Sequence, residues 1–193
     1  MKIKRASLMT LEAYAKARDS FRAQVMAHKK NRKVALGGHV TLLFEDELTI
    51  RYQVQEILRV EKVFEEAGIQ EELDVYNPLI PDGGNWKATM LIEYPDIAER
   101  THMLTQLKGI ERRVWVAVTG YAKVYAIADE DLERENEEKT SAVHFLRFEP
   151  DAAMREALRD GTALQMGVDH ALYVARTAVT DGTRDALLKD FLG

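Results

Sequence analysis

The sequence predicts an α+β fold: one domain over residues 1–193, with four to five helices packed on an antiparallel or mixed β-sheet. Three observations carry this. Segments of helical period alternate with short strand-like runs, several of which are joined by tight glycine turns that favour antiparallel neighbours. The hydrophobic fraction of 46% over 193 residues suits one core. No cysteine is present, so that core must hold without disulfides.

Taken in order, Thr10 is a good N-cap, and Glu12 in the first turn favours the helix dipole. Leu11, Tyr14, Phe21 and Val25 then recur at helical spacing as far as the basic cluster His28-Lys29-Lys30-Asn31-Arg32-Lys33. Val34 to Leu36 and His39 to Phe44 read as a hairpin about Gly37-Gly38. A second helix is predicted from Glu47 to Ala67, stopping at Gly68, with a short helical stretch from Ile69 to Val75. Asn77-Pro78-Leu79-Ile80-Pro81-Asp82-Gly83-Gly84 is a loop by its Pro and Gly content. Trp86 to Tyr94 is a strand, and Pro95-Asp96 opens a helix closed by Gly109.

Val114 to Val118 and Tyr121 to Ile127 form a second hairpin. Residues 129–138 hold seven acids and one Arg, which suits a solvated helix or loop. Val143 to Phe148, Asp151 to Arg159 and Ala163 to Val168 read as strand, helix and strand, and Asp181 to Leu192 as a last helix. Glu93-Tyr94-Pro95-Asp96 and Phe148-Glu149-Pro150-Asp151 each join a strand to a helix. That echo predicts either a duplicated unit or two uses of a good helix start.

The net charge of −5 is uneven. Residues 1–33 carry ten Lys and Arg against Glu12 and Asp19, leaving +8 there and −13 in the rest. A basic helix docking on an acidic body explains this, and nucleic-acid binding through residues 28–33 is the alternative. The absence of cysteine excludes thiolate nucleophiles and cysteine-held clusters. No Gly-x-Ser-x-Gly elbow, P-loop or Gly-x-Gly-x-x-Gly occurs. Glu99-x-x-His102 is a single copy of a spacing that di-iron sites use twice, and His144 lies within a strand. No metal or cofactor is therefore expected. No apolar run approaches the roughly 20 residues of a membrane span, and the start lacks a signal-peptide core, so a cytoplasmic, non-membrane protein is expected.

Helix two carries the strongest functional signal. On a helical wheel Ile50, Val54, Ile57, Leu58, Val60 and Phe64 form one arc, with Gln53 and Glu61 inside it and Glu56 at its edge. A carboxylate on a buried face requires a cationic partner or a cavity that holds something. The basic cluster offers the partner. The cavity reading gives a candidate pocket of His28, Gln53, Glu56, Glu61, Tyr76 and Asn77.

His28-Lys29-Lys30-Asn31-Arg32, Phe44-Glu45, Tyr52-Gln53-Val54-Gln55-Glu56-Ile57-Leu58-Arg59-Val60-Glu61, Tyr76-Asn77-Pro78-Leu79-Ile80-Pro81 and His144-Phe145-Leu146-Arg147-Phe148 together resemble the domain of unknown function 3501 family over nearly the whole chain. The resemblance implies a bacterial protein. Its members tend to be encoded near rubrerythrin and an iron–sulfur oxidoreductase, which implies a redox or oxidative-stress setting. It assigns no activity or site residue, so whether the chain is an enzyme stays open. A non-catalytic accessory or binding protein is expected, with such a partner or as a homo-oligomer. An enzyme or small-anion-binding protein built on helix two is the second reading, and a nucleic-acid module the third.

Overall fold

The computed structural model describes residues 2–128 and 139–192; the acidic segment 129–138 lies outside them. Helix α1 (Leu11–Lys29) begins where predicted. Thr10 Oγ1 accepts the Ala13 N–H, and His28 and Lys29 occupy the last turn, where cations suit the dipole. A 3-10 turn leads into the hairpin of β1 (Lys33–Leu36) and β2 (Val40–Glu45), with Gly37 at a φ of 73°.

Helix α2 (Glu47–Val60) starts at a reciprocal cap: Asp46 accepts the Thr49 N–H, and Thr49 Oγ1 accepts the Asp46 N–H. It ends seven residues earlier than predicted. The chain turns at Lys62, whose φ of 55° breaks the helix, and α3 (Glu66–Tyr76) follows with Gly68 inside it. Gly68 therefore does not stop a helix. A Cβ there would come 2.9 Å from Val63 Cγ1, so the glycine serves the close approach of the corner to α3.

Strand β3 (Trp86–Ile92), helix α4 (Ile97–Gln106) and strand β4 (Val114–Val118) follow. The predicted strand over 121–127 is two short pieces, β5 (Val124–Tyr125) and β6 (Ile127–Ala128), which belong to different sheets. Then come β7 (Val143–Phe148), α5 (Ala152–Arg159), β8 (Leu164–His170), β9 (Tyr173–Ala178) and α6 (Asp181–Leu188). Strand β9 was not predicted. Its alternation is present in Tyr173-Val174-Ala175-Arg176-Thr177-Ala178, but small and charged residues dilute it.

The α+β class holds, with two antiparallel sheets where one was expected. Sheet A runs β1-β2-β3-β7-β6 and sheet B runs β5-β4-β8-β9. They join at two seams. At one, the chain crosses from β5 to β6 with the Ala126 N–H donating to the Val114 carbonyl at 2.8 Å. At the other, hydroxyls of β9 stitch it to β1: Tyr173 donates to the Leu36 carbonyl at 2.5 Å and Thr177 to that of Ala35 at 2.9 Å. The main core lies between the sheets, built from Leu42, Phe44, Trp86, Met90, Val114, Val116, Leu146, Phe148 and Met166. A smaller cluster of Ile3, Leu8, Ile50, Val54, Leu58, Ile69, Leu73 and Ile80 holds α2 and α3 to the N-terminal segment.

The sequence echo corresponds to topology. β3–α4–β4 and β7–α5–β8 each pass from sheet A through a helix to sheet B, and their matching strands are antiparallel neighbours. Asp96 and Asp151 cap the two helices alike, accepting from Glu99 N and Met154 N. The repeated strand–helix–strand unit is thus a feature of the fold.

Gly167, opposite Trp115 in sheet B, is a test of this packing. A Cβ there would lie 2.4 Å from Trp115 Cζ2 and 2.5 Å from the Ala175 carbonyl oxygen. Because one of those atoms is backbone, Gly167→Ala should cost about 2 kcal/mol in urea denaturation. An unchanged midpoint would show that the sheet yields there.

Candidate functional site

The polar centre of the molecule is built on Arg32, which is only 2% exposed. Its guanidinium donates to the Phe44, Glu45 and Ala186 carbonyls at 3.0, 3.0 and 3.2 Å, and to Asp190 Oδ2 at 2.6 Å. Asp46 Oδ2 lies 3.5 Å from Arg32 Nε and accepts from His28 Nε2 at 2.5 Å. Beside it the buried Glu45 carboxylate accepts from Thr49 and Thr89 hydroxyls at 2.5 and 2.7 Å. Arg32 thus lies between the carboxylates of Asp46 and Asp190, while Glu45 is held by hydroxyls alone.

The two aspartates respond differently. Burial pushes Asp46 upward, but Arg32, the Thr49 N–H and His28 outweigh it, and its pKa falls below the ordinary value. At Asp190 burial wins over Arg32, aided by the negative charge of Asp46, and the pKa rises to about 6. An open cavity of about 320 Å³ lies beside this centre, lined in part by Asp46, Pro81, Asp82, Lys189 and Asp190. Sequence reading placed His28 in the candidate pocket but did not single out Arg32, Asp46 or Asp190.

On α2 the buried face is Thr49, Ile50, Val54, Gln55 and Leu58. Glu61 is exposed at the C-cap and has no ion-pair partner among the described residues, which corrects its predicted burial. Including Val60 and Phe64 in one wheel pulled the predicted arc towards Glu61. The helix ends at Val60, so Phe64 never shared that face. The carboxylate that does meet a cation from α1 is Glu56, through Arg18 rather than the basic cluster. Arg18 donates to both Glu56 oxygens at 2.7 and 2.8 Å, and the Tyr14 hydroxyl donates at 2.7 Å. Hydrogen bonding from Arg18, then from Tyr14 and Arg59, outweighs burial and lowers the Glu56 pKa to about 2.

Gln53, Glu56 and Glu61 do share one feature. With Lys29, Tyr52, Ile57 and Val60 they line a groove of about 350 Å³ on the outer side of α2. Lys29 Nζ sits 6.0 Å from the Tyr52 ring centroid. Tyr76 and Asn77 are not part of this groove. Tyr76 packs against the smaller hydrophobic cluster, and Asn77 accepts the Ile3 N–H at 2.7 Å and donates to its carbonyl at 3.0 Å. Gln55 repeats the device on Met9, accepting its N–H at 2.7 Å. Two side-chain amides thus hold the N-terminal segment as a neighbouring strand would.

Of the remaining candidates, His144 is buried, with Nε2 donating to the Ser141 carbonyl at 3.0 Å and lying 2.9 Å from the Thr140 hydroxyl. Glu99 and His102 are exposed on α4. No group of three or more metal-ligating side chains occurs among the described residues. No helix there is long and apolar enough to cross a membrane.

These features define an α+β protein of two antiparallel sheets with a buried polar centre and a surface groove. The chain belongs to the family described as protein of unknown function DUF3501, whose profile matches residues 2–191. A crystal structure of a novel protein of unknown function from Burkholderia pseudomallei is 53% identical, with a TM-score of 0.95 and 100% of each chain covered. The comparison with curated proteins found no match.

Two pH-dependent outcomes follow from the carboxylates. Glu56 has a lowered pKa, so its contribution is full above the ordinary 4.5 and is lost as pH falls towards 2. Glu56→Gln should cost about 1 kcal/mol at pH 7 in urea denaturation, as for a strong partly exposed pair, and little at pH 2. An equal loss at both would show that charge is not the cause.

Asp190 has a raised pKa, so folding takes up a proton between the ordinary 3.8 and about 6, and this group favours the fold less as pH rises through that window. Asp190→Asn should remove that fall and leave a flatter profile between pH 4 and 6. Parallel profiles for wild type and variant would refute the assignment.

Proposed function

We propose that the protein acts by binding a protein partner, with the α2 groove and the adjoining α2–α3 corner as the docking surface. The observation that carries this is a pairing of exposed apolar side chains with an excess of acids, of which Glu66 alone meets a cation among the described residues, Arg5, at 3.2 Å. Val60 and Phe64 are 65% and 71% exposed at the end of the groove. Residues 61–75 hold six acids against Lys62 alone, a net −5. Burial, together with Glu61 and Glu71, pushes the Glu72 carboxyl upward, as expected where like charges crowd. An apolar strip bordered by repelling carboxylates fits a basic amphipathic segment, whose apolar face covers Val60 and Phe64 while its cations neutralise the rim.

This supports the accessory reading over the other two. For a small anion, the groove sets one ammonium, Lys29, against the two carboxylates of Glu56 and Glu61. For nucleic acid, the basic cluster has lost Arg32 to the interior and His28 to Asp46. The bacterial redox or oxidative-stress setting implied by the family resemblance, a cytoplasmic location, and a rubrerythrin or iron–sulfur oxidoreductase as partner belong to the same proposal.

A labelled Lys–Leu amphipathic helix tests the chemistry by fluorescence anisotropy. Phe64→Ser should weaken binding about tenfold, the loss expected for one exposed anchor. Glu61→Gln with Glu72→Gln should weaken it and flatten its salt dependence. Unaltered affinity in both variants would remove this surface. Purified rubrerythrin should bind wild type and lose affinity for Phe64→Ser; equal binding to both would remove it as the partner for this face.

A further inference from the structure

A cleft of about 780 Å³ lies away from α2. It is lined by Gly38 and His39 after β1, the end of β3 with Glu93, Tyr94 and Pro95, Arg100 of α4, and Ala142 and Val143 at the start of β7. Its size is that of a small-molecule site. Leu91, Ile92, Pro95, Ala142 and Val143 supply apolar wall.

Three polar side chains meet this wall. The His39 ring stacks on Tyr94 at 3.9 Å between centroids and 9° between planes. Its Nδ1 lies 3.0 Å from the Glu93 carbonyl, which accepts, so Nδ1 carries hydrogen. In the neutral ring Nε2 is then an acceptor; in the cation it is a second donor. The His39 N–H donates to the Tyr173 hydroxyl at 3.1 Å, so ring and backbone are both held. Arg100 is half-buried, and its guanidinium has no ion-pair or hydrogen-bond partner among the described residues. The Glu93 carboxylate accepts from the Thr41 hydroxyl at 2.8 Å.

We propose that this cleft binds a small monocarboxylate with an apolar body. The planar guanidinium of Arg100 pairs with the carboxylate, the wall covers the hydrocarbon, and the stacked His39–Tyr94 pair forms a rigid side. Arg100 is the residue that sets the sign of the ligand. Glu93 limits its magnitude, because a dianion beside that carboxylate meets more repulsion than a monoanion. Nothing in this site is shared with the α2 groove, so the two are lost independently.

The probes are hexanoate, its neutral analogue hexanamide, and hexyl phosphate, followed by amide chemical shifts of the labelled full chain. Hexanoate should give saturable shifts at residues 38–39, 91–95, 100 and 142–143. Hexanamide should bind about tenfold more weakly, and so should hexanoate to Arg100→Gln, since each removes the charged pair. The Arg100 guanidinium makes no hydrogen bond or ion pair among the described residues, and the dispersion of the spectrum reports whether the variant is folded. Three results would overturn the proposal: equal binding of hexanoate and hexanamide, shifts confined elsewhere, or full affinity in Arg100→Gln. Tighter binding of hexyl phosphate would overturn the monoanion assignment. The hexanamide comparison needs no variant, so the proposal stays exposed to failure even if Arg100→Gln does not fold.

Discussion

The arrangement depends first on one buried guanidinium. Arg32 sits where α1 has just ended, where β2 hands over to α2, and where α6 closes. The last two of these places present backbone carbonyls and a carboxylate that Arg32 meets. A buried acceptor without a donor costs about 1–3 kcal/mol, and a lone buried carboxylate more. One side chain with five N–H groups in a plane serves both. Lysine would carry the same charge without the fork, which is why the two are not equivalent here.

Around that centre the molecule has two hydrophobic territories, and polar devices mark their borders. The larger lies between the sheets and the smaller under α2 and α3. Hydroxyls of Tyr173 and Thr177 close the seam of the first; the amides of Gln55 and Asn77 close the second by holding backbone at Met9 and Ile3. Gln55 and Asn77, both within segments that carry the family resemblance, thus have structural roles in this fold. Glu56 belongs with them, since Arg18 and Tyr14 of α1 both donate to its carboxylate. On the surface, Phe64 stands exposed among acidic neighbours and Arg100 lies beside an apolar wall.

Much of the secondary structure was legible because it rests on local chemistry. Thr10, Asp96 and Asp151 announce helices through side chains that reach only three residues ahead, and Gly37 announces a turn through its φ. The α2–α3 corner was hidden because a lysine, not a glycine, takes the positive φ at position 62. The candidate site was partly legible. The expectation of a carboxylate on α2 meeting a cation from α1 was sound in kind. Choosing between Glu56 and Glu61 required the helix end, which tertiary packing sets. Arg32 could not be told from Lys29 or Lys30, because its acceptors come from residues 44–46 and 186–190.

The loop from Asn77 to Gly84 does more than connect α3 to β3. Near its start Asn77 grips Ile3; near its end the Gly83 carbonyl accepts the Leu192 N–H at 3.1 Å, and the Leu192 side chain lies where a Cβ on Gly83 would be. Between them Ile80 is buried in the smaller hydrophobic cluster. Residues separated by almost the whole chain are therefore fastened to one short clasp. Opening it would free both at once, so hydrogen exchange at Ile3 and Leu192 should rise and fall together although they lie at opposite ends of the chain.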